Sequence, residues 1–163
     1  MLRIAPSARE ALLDGGALRP YVMAMATPWL CLHCGRRFGR TNQSHECEPA
    51  LSLKEYLERQ PPEHRATYRA VLKEIKKLGP VDIDPVSVGI MIKRVRTFCE
   101  LRPKRDAVAL SFKLSRPLAD PRVRRSVRAS VHRQAHVIHL RSPEDLDRQV
   151  ISWLAESYID SPD

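Results

Sequence analysis

The 163-residue chain has no apolar run approaching the roughly 20 residues that a membrane-spanning helix needs, so a membrane partner is not expected. It also lacks the uninterrupted apolar stretch of a secretory leader. Arg3, Arg9, Glu10, Asp14 and Arg19 break up the first twenty positions, and the expectation is a cytoplasmic protein. No Walker loop, no Gly-x-Gly-x-x-Gly and no Gly-x-Ser-x-Gly is present, which weighs against an enzyme. There is no internal repeat, which excludes solenoids and propellers, and no low-complexity tract. Cysteine is scarce, with four in the chain, and in the reducing compartment expected here they are not read as disulfides.

Three of those cysteines gather with a histidine. The spacing is Cys31-x2-Cys34, ten residues, then His45-x-Cys47. Two cysteines three apart chelate one ion from a tight turn, and Gly35 directly after Cys34 lets backbone amides point at the thiolate. A Cys3His set is a closed, structural zinc arrangement, so Zn2+ is the expected cofactor and zinc catalysis is not. A unit of about twenty residues cannot bury enough apolar surface to fold alone, and metal binding would supply its folding energy. Trp29 and Phe38 are its expected small core. His33, between the first two cysteines, reads as an exposed loop side chain. Cys99 stands apart in a strand-like run and reads as a small buried hydrophobe.

The net charge of +9 is concentrated. Residues 91–141 hold 14 Lys/Arg and three acids, against 14 basic and 16 acidic residues elsewhere. Clustered cations release counterions from a phosphate backbone, which makes DNA or RNA the natural partner; a solvated basic surface is the competing reading. The expected nucleic-acid contacts are Arg36 and Arg37 beside Phe38, Arg94 and Arg96, and the run Arg122, Arg124, Arg125 and Arg128. Two other functions stay open: a protein-interaction module whose zinc unit docks a protein partner, and a binder of small anionic ligands. His132, His136 and His139 read as surface strand histidines, and Asp82 with Asp84 before Pro85 reads as a turn.

Three segments are expected: a flexible tail over 1–26, in which Met23 and Met25 offer alternative starts, a Cys3His zinc unit over 27–49, and an α+β domain over 51–160. Ser52-Leu53-Lys54-Glu55 forms a capping box that opens a first helix, Pro61-Pro62 ends it and starts a second, and Gly79-Pro80 stops that one near Leu78. Alternation predicts strands over 86–93, 97–101, 107–114 and 131–140, with residues 115–129 as loop or short helix. A second capping box at Ser142 is expected to open the last helix, whose buried stripe is Leu146, Val150, Trp153, Leu154 and Tyr158. Short turns imply a four-stranded antiparallel sheet covered on one face by two N-terminal helices and one C-terminal helix.

The stretch WLCLHCGRRFGRTNQSHEC followed by SLKEYLERQPPEHRATYRAVLKEIKKLGP resembles a family of bacterial domains of unknown function, in which a short Cys-Cys-His-Cys unit precedes a compact α+β domain. Later pieces, RTFCELRPKRDAVALSFKL and RSPEDLDRQVISWLAESY, are similar as well. The resemblance covers about residues 28–160 and implies Cys31, Cys34, His45 and Cys47 as the ligands. It implies no catalytic residue. The domain also resembles, in layout only, small α+β domains proposed as iron chaperones, whose acidic metal-binding face this basic chain lacks.

Overall fold

The computed structural model describes residues 29–45, 47 and 51–161; the expected tail lies outside them. Two short strands, β1 (Trp29–Leu30) and β2 (Arg37–Phe38), form an antiparallel ribbon. Helices α1 (Leu53–Glu58) and α2 (Pro62–Leu78) follow. Then come β3 (Asp82–Val86), β4 (Gly89–Lys93), β5 (Thr97–Pro103), β6 (Val108–Leu114), β7 (Arg125–Ser130), β8 (Arg133–Leu140) and α3 (Arg148–Ile159). The main sheet is antiparallel throughout, with strand order β3-β4-β5-β6-β8-β7.

The sheet therefore has six strands where four were expected. The predicted strand over 86–93 is the second half of a hairpin: Val86 ends β3, and Ser87-Val88 turn the chain into β4. Gly89 begins β4 because a Cβ there would lie 2.3 Å from the Leu101 carbonyl oxygen on the adjacent strand. Residues 125–130, expected as loop or helix, form β7 on the far edge, and β8 starts at Arg133 rather than 131. The Ser142 box does form, but it caps only a single 3-10 turn over Pro143–Asp145; α3 starts anew with Asp147, whose carboxylate accepts the Val150 amide at 2.9 Å. The Ser52 box forms as read, with Ser52 and Glu55 bonded reciprocally.

Register places Ile90 and Ile92, Cys99 and Leu101, Leu110 and Phe112, and His136 and Ile138 on one face of the sheet. All are buried, and they pack with Tyr68, Val71, Leu72 and Ile75 of α2 and Val150, Trp153 and Leu154 of α3. Cys99 is the buried hydrophobe expected, and burial pushes its thiol well above the usual range. His136, expected at the surface, is instead fully buried; its two ring nitrogens meet the Ser126 hydroxyl at 2.8 Å and the Arg116 carbonyl at 3.1 Å. The other face of the sheet carries Met91, Glu100, Ser111, Lys113, Ala135, Val137 and Arg125, and no helix of the described residues packs on it.

A hydroxyl on α3 joins the sheet where the β4–β5 pairing is irregular. Ser157 accepts the Lys113 amide at 3.1 Å and donates to the Phe98 carbonyl at 3.0 Å, so it bridges β5 and β6. Ser157→Ala leaves both main-chain groups without this partner in a buried place. We expect a loss of about 1–3 kcal/mol of stability, read as a lower denaturation midpoint at unchanged m-value. An unchanged midpoint would show that the bridge contributes nothing.

Candidate metal centre and basic cleft

The knuckle between β1 and β2 is built by its backbone. The Gly35 amide donates to the Cys31 carbonyl at 2.8 Å and the Cys31 amide to the Arg36 carbonyl at 3.0 Å, closing a turn that holds Cys31 and Cys34 side by side. Gly35 takes φ = 68°, the left-handed region where a side chain is costly. His45 and Cys47 come back opposite, and the four ligand atoms lie within 4.8 Å of one another.

The spacings fit a tetrahedral ion. Metal–sulfur bonds of about 2.3 Å give tetrahedral edges of about 3.8 Å between sulfurs and slightly less between sulfur and nitrogen. Cys31 Sγ and Cys47 Sγ are 3.7 Å apart, and Cys34 Sγ is 3.3 Å from His45 Nε2. His45 Nδ1 donates to the Gln43 carbonyl at 2.7 Å, which fixes the tautomer that leaves Nε2 for a metal. Burial pushes the Cys34 thiol up, but the Arg36 amide and its neighbours Cys31 and His45 outweigh this and bring it down to about 6. Desolvation and the two neighbouring sulfurs push Cys47 up to about 11. Three sulfurs this close do not all ionise without a cation between them. The cluster can therefore hold a metal ion. His33 is exposed and is not one of the four.

Trp29, Phe38 and His45 make the small core, with Phe38 and His45 centroids 4.3 Å apart. The unit touches the main domain through Lys93. Its ammonium sits 5.4 Å above the Phe38 ring, bonds the Arg37 carbonyl at 3.4 Å and pairs with Asp84 at 2.7 Å. Asp84, expected only as a turn residue, thus helps orient the lysine that bridges the two parts.

This contact opens a cleft of about 480 Å³ between the metal unit and the β4–β5 turn. Among the described residues, Arg37, Arg40, Lys93 and Arg96 line it with Gln43, Ser44 and Thr97, and no acid does. Lys113 and Arg133 extend the basic character along the helix-free face. Burial holds Lys113 below the usual lysine range, opposed by Glu100 and reinforced by the charge of Arg133. Burial likewise lowers Arg133, opposed by Asp160 and reinforced by Arg96. Arg133 thus feels the charge of Arg96, and Lys113 that of Arg133. Lys93, Lys113 and Arg133 were not singled out by sequence, whereas Arg40 stood with Arg36 and Arg37 around Phe38 as an open possibility for phosphate contact. The signal for Lys113 was its outward phase in the alternation of β6.

The eight arginines expected to contact nucleic acid do not share one surface. Arg36 and Arg37 are on the metal unit, and Arg37 shares the cleft with Arg96. Arg94 lies 5.0 Å from the Tyr158 ring centroid and reaches the Ser161 carbonyl, bracing the β4–β5 turn against α3. Arg122 pairs with Asp120 at 3.0 Å and Asp147 at 2.7 Å and stacks 4.7 Å from the Trp153 ring centroid. Arg124, Arg125 and Arg128 belong to the opposite edge of the sheet, about 19 Å from β4 at four strand spacings.

Residues 53–161 match a family described as a domain of unknown function, DUF5655. The chain belongs to that family, and the Cys/His unit precedes the matched region. No curated protein and no solved structure matches it. Among the described residues, no helix is long and apolar enough to cross a membrane.

Proposed function

We propose that this is a zinc-stabilised nucleic-acid-binding protein. Zinc, held by Cys31, Cys34, His45 and Cys47, fixes the unit that forms one wall of the basic cleft. Three thiolates and an imidazole suit a soft, tetrahedral ion and not magnesium or calcium, which take oxygen ligands. The observation that carries the reading is the cleft itself, in which four cations from two separate parts of the chain converge, with no acid among the described residues that line it. Arg37, Arg40 and Arg96 make no ion pair among the described residues, so their charge is available to phosphate. Lys93, tied to Asp84, acts mainly as a brace. The sugar-phosphate backbone runs from the cleft toward Lys113 and Arg133, and Gln43, Ser44 and Thr97 supply neutral hydrogen bonds. Arg122 is already engaged by two carboxylates and is not a phosphate contact in this reading.

The test is equilibrium binding of labelled single-stranded and duplex oligonucleotides across a salt series. About five phosphate contacts give a slope of log K against log salt of about −3.5 for a single strand and −4.5 for duplex. Arg37→Ala with Arg96→Ala is expected to flatten the slope by about 1.5–2 and weaken both types of complex. Arg122→Ala is expected to leave the slope unchanged. Salt-independent binding, or a double variant that binds like the parent, overturns the reading.

A further inference from the structure

Strand β7 ends the sheet, and all six of its residues, Arg125 to Ser130, are exposed. It pairs with β8 along one side, and among the described residues no strand pairs along the other. The opposite edge is treated differently. There β3 contains Pro85, which removes a main-chain donor, and α1 packs against it. β7 has no proline, and among the described residues no helix packs over it, so its outward N–H and C=O groups are offered to water or to another strand.

Its charge chooses between occupants. From Arg122 to Pro143 there is no Asp or Glu, and Arg124, Arg125 and Arg128 stand on or beside the edge. A second copy of β7 would bring four arginines onto one short ladder, and like charges across a strand pair are unfavourable. A polynucleotide could pair with the arginines but could not continue the ladder. We infer that β7 receives an extended, acidic peptide segment of a partner protein, added as a seventh strand. The main-chain ladder supplies affinity, the arginines select acidic side chains, and exposed Val127 gives one apolar contact. The irregularity between Arg128 and Ser130 limits the regular ladder to its first residues. This inference does not rest on the nucleic-acid reading, whose cleft lies against β4 and β5, although Arg133 at the end of that path is on β8 beside β7.

The test uses the full, metal-loaded chain and a labelled ten-residue peptide alternating Val or Thr with Asp or Glu. Binding is followed by anisotropy and by amide hydrogen exchange. The acidic peptide should bind and slow exchange of amides within 125–130. The same peptide N-methylated at alternate amides, and R125E/R128E protein with an unchanged melting profile, should each bind at least tenfold more weakly. The inference is overturned if the N-methylated peptide binds as well as its parent, since charge alone then suffices. It is equally overturned if no acidic peptide binds, if oligonucleotides and not peptides protect 125–130, or if the chain self-associates through this strand.

Discussion

Cys34→Ser is expected to abolish stoichiometric metal binding and unfold the segment around residues 29–47 while leaving the six-stranded domain folded. The metal unit's buried residues are Cys31, Cys34 and Phe38, with Trp29 packed against them. That apolar content is far below what about twenty residues need to offset their conformational entropy. Structural zinc in comparably small units contributes an apparent ~10–16 kcal/mol, so its loss removes the unit's stability outright. The main domain has a separate core and no described metal ligand in it. Elemental analysis of protein purified without chelator should give about one zinc per chain for the parent and none for the variant. Amide spectra should collapse only for the metal unit. Nucleic-acid affinity should fall with it, because the wall carrying Arg37 and Arg40 is no longer held against Lys93. Retained metal in the variant, or a unit that stays ordered in chelator, would sink the structural role of the ion.

Phe112→Ala is expected to cost about 3–5 kcal/mol, the largest single loss in the main domain. Phe112 is fully buried at the centre of the sheet, stacks on Trp153 with centroids 5.6 Å apart and planes 17° from parallel, and touches the His136 ring at 6.0 Å. Its removal empties the space where β6, β8 and α3 meet, and close-packed neighbours relax only partly into such a space. A folded domain of this size has a total stability of about 5–15 kcal/mol, so the variant should be near the threshold of unfolding at growth temperature. Chemical denaturation of the metal-loaded protein measures it. A loss below about 1 kcal/mol would mean that the α3–sheet packing is not what holds the domain together.

Elements set by short-range signals were legible. The capping box at Ser52, the proline at the start of α2 and its 3.6-residue apolar period each act within a few positions, and α2 runs to Leu78 as read. The strands of the middle of the sheet were legible because one face of each is buried, which imposes alternation. The two missed strands of the main sheet are its two edges. β3 contains Asp82, Asp84 and Pro85, turn-forming residues that an edge tolerates because one side of it needs no hydrogen-bonding partner. β7 is exposed at every position, so no apolar alternation marks it; only pairing with β8 makes it a strand. His136 was misjudged for a related reason. Its phase pointed inward, but the Ser126 and Arg116 groups that satisfy it belong to elements whose position sequence did not reveal.

The sequence by itself determined the Cys/His cluster and the basic excess. Four ligands within seventeen positions are brought together by one turn and one returning loop, and chelation at that range needs no distant partner. Which arginines share a surface was decided only by tertiary structure. Arg37 and Arg96 meet because β3 pairs with β4 and Lys93 joins Asp84, Phe38 and the Arg37 carbonyl. Arg125 and Arg128 are carried to the opposite edge by the crossover order β6-β8-β7. Charge is additive along a chain, but a binding surface depends on which residues become neighbours, and long-range pairing decides that.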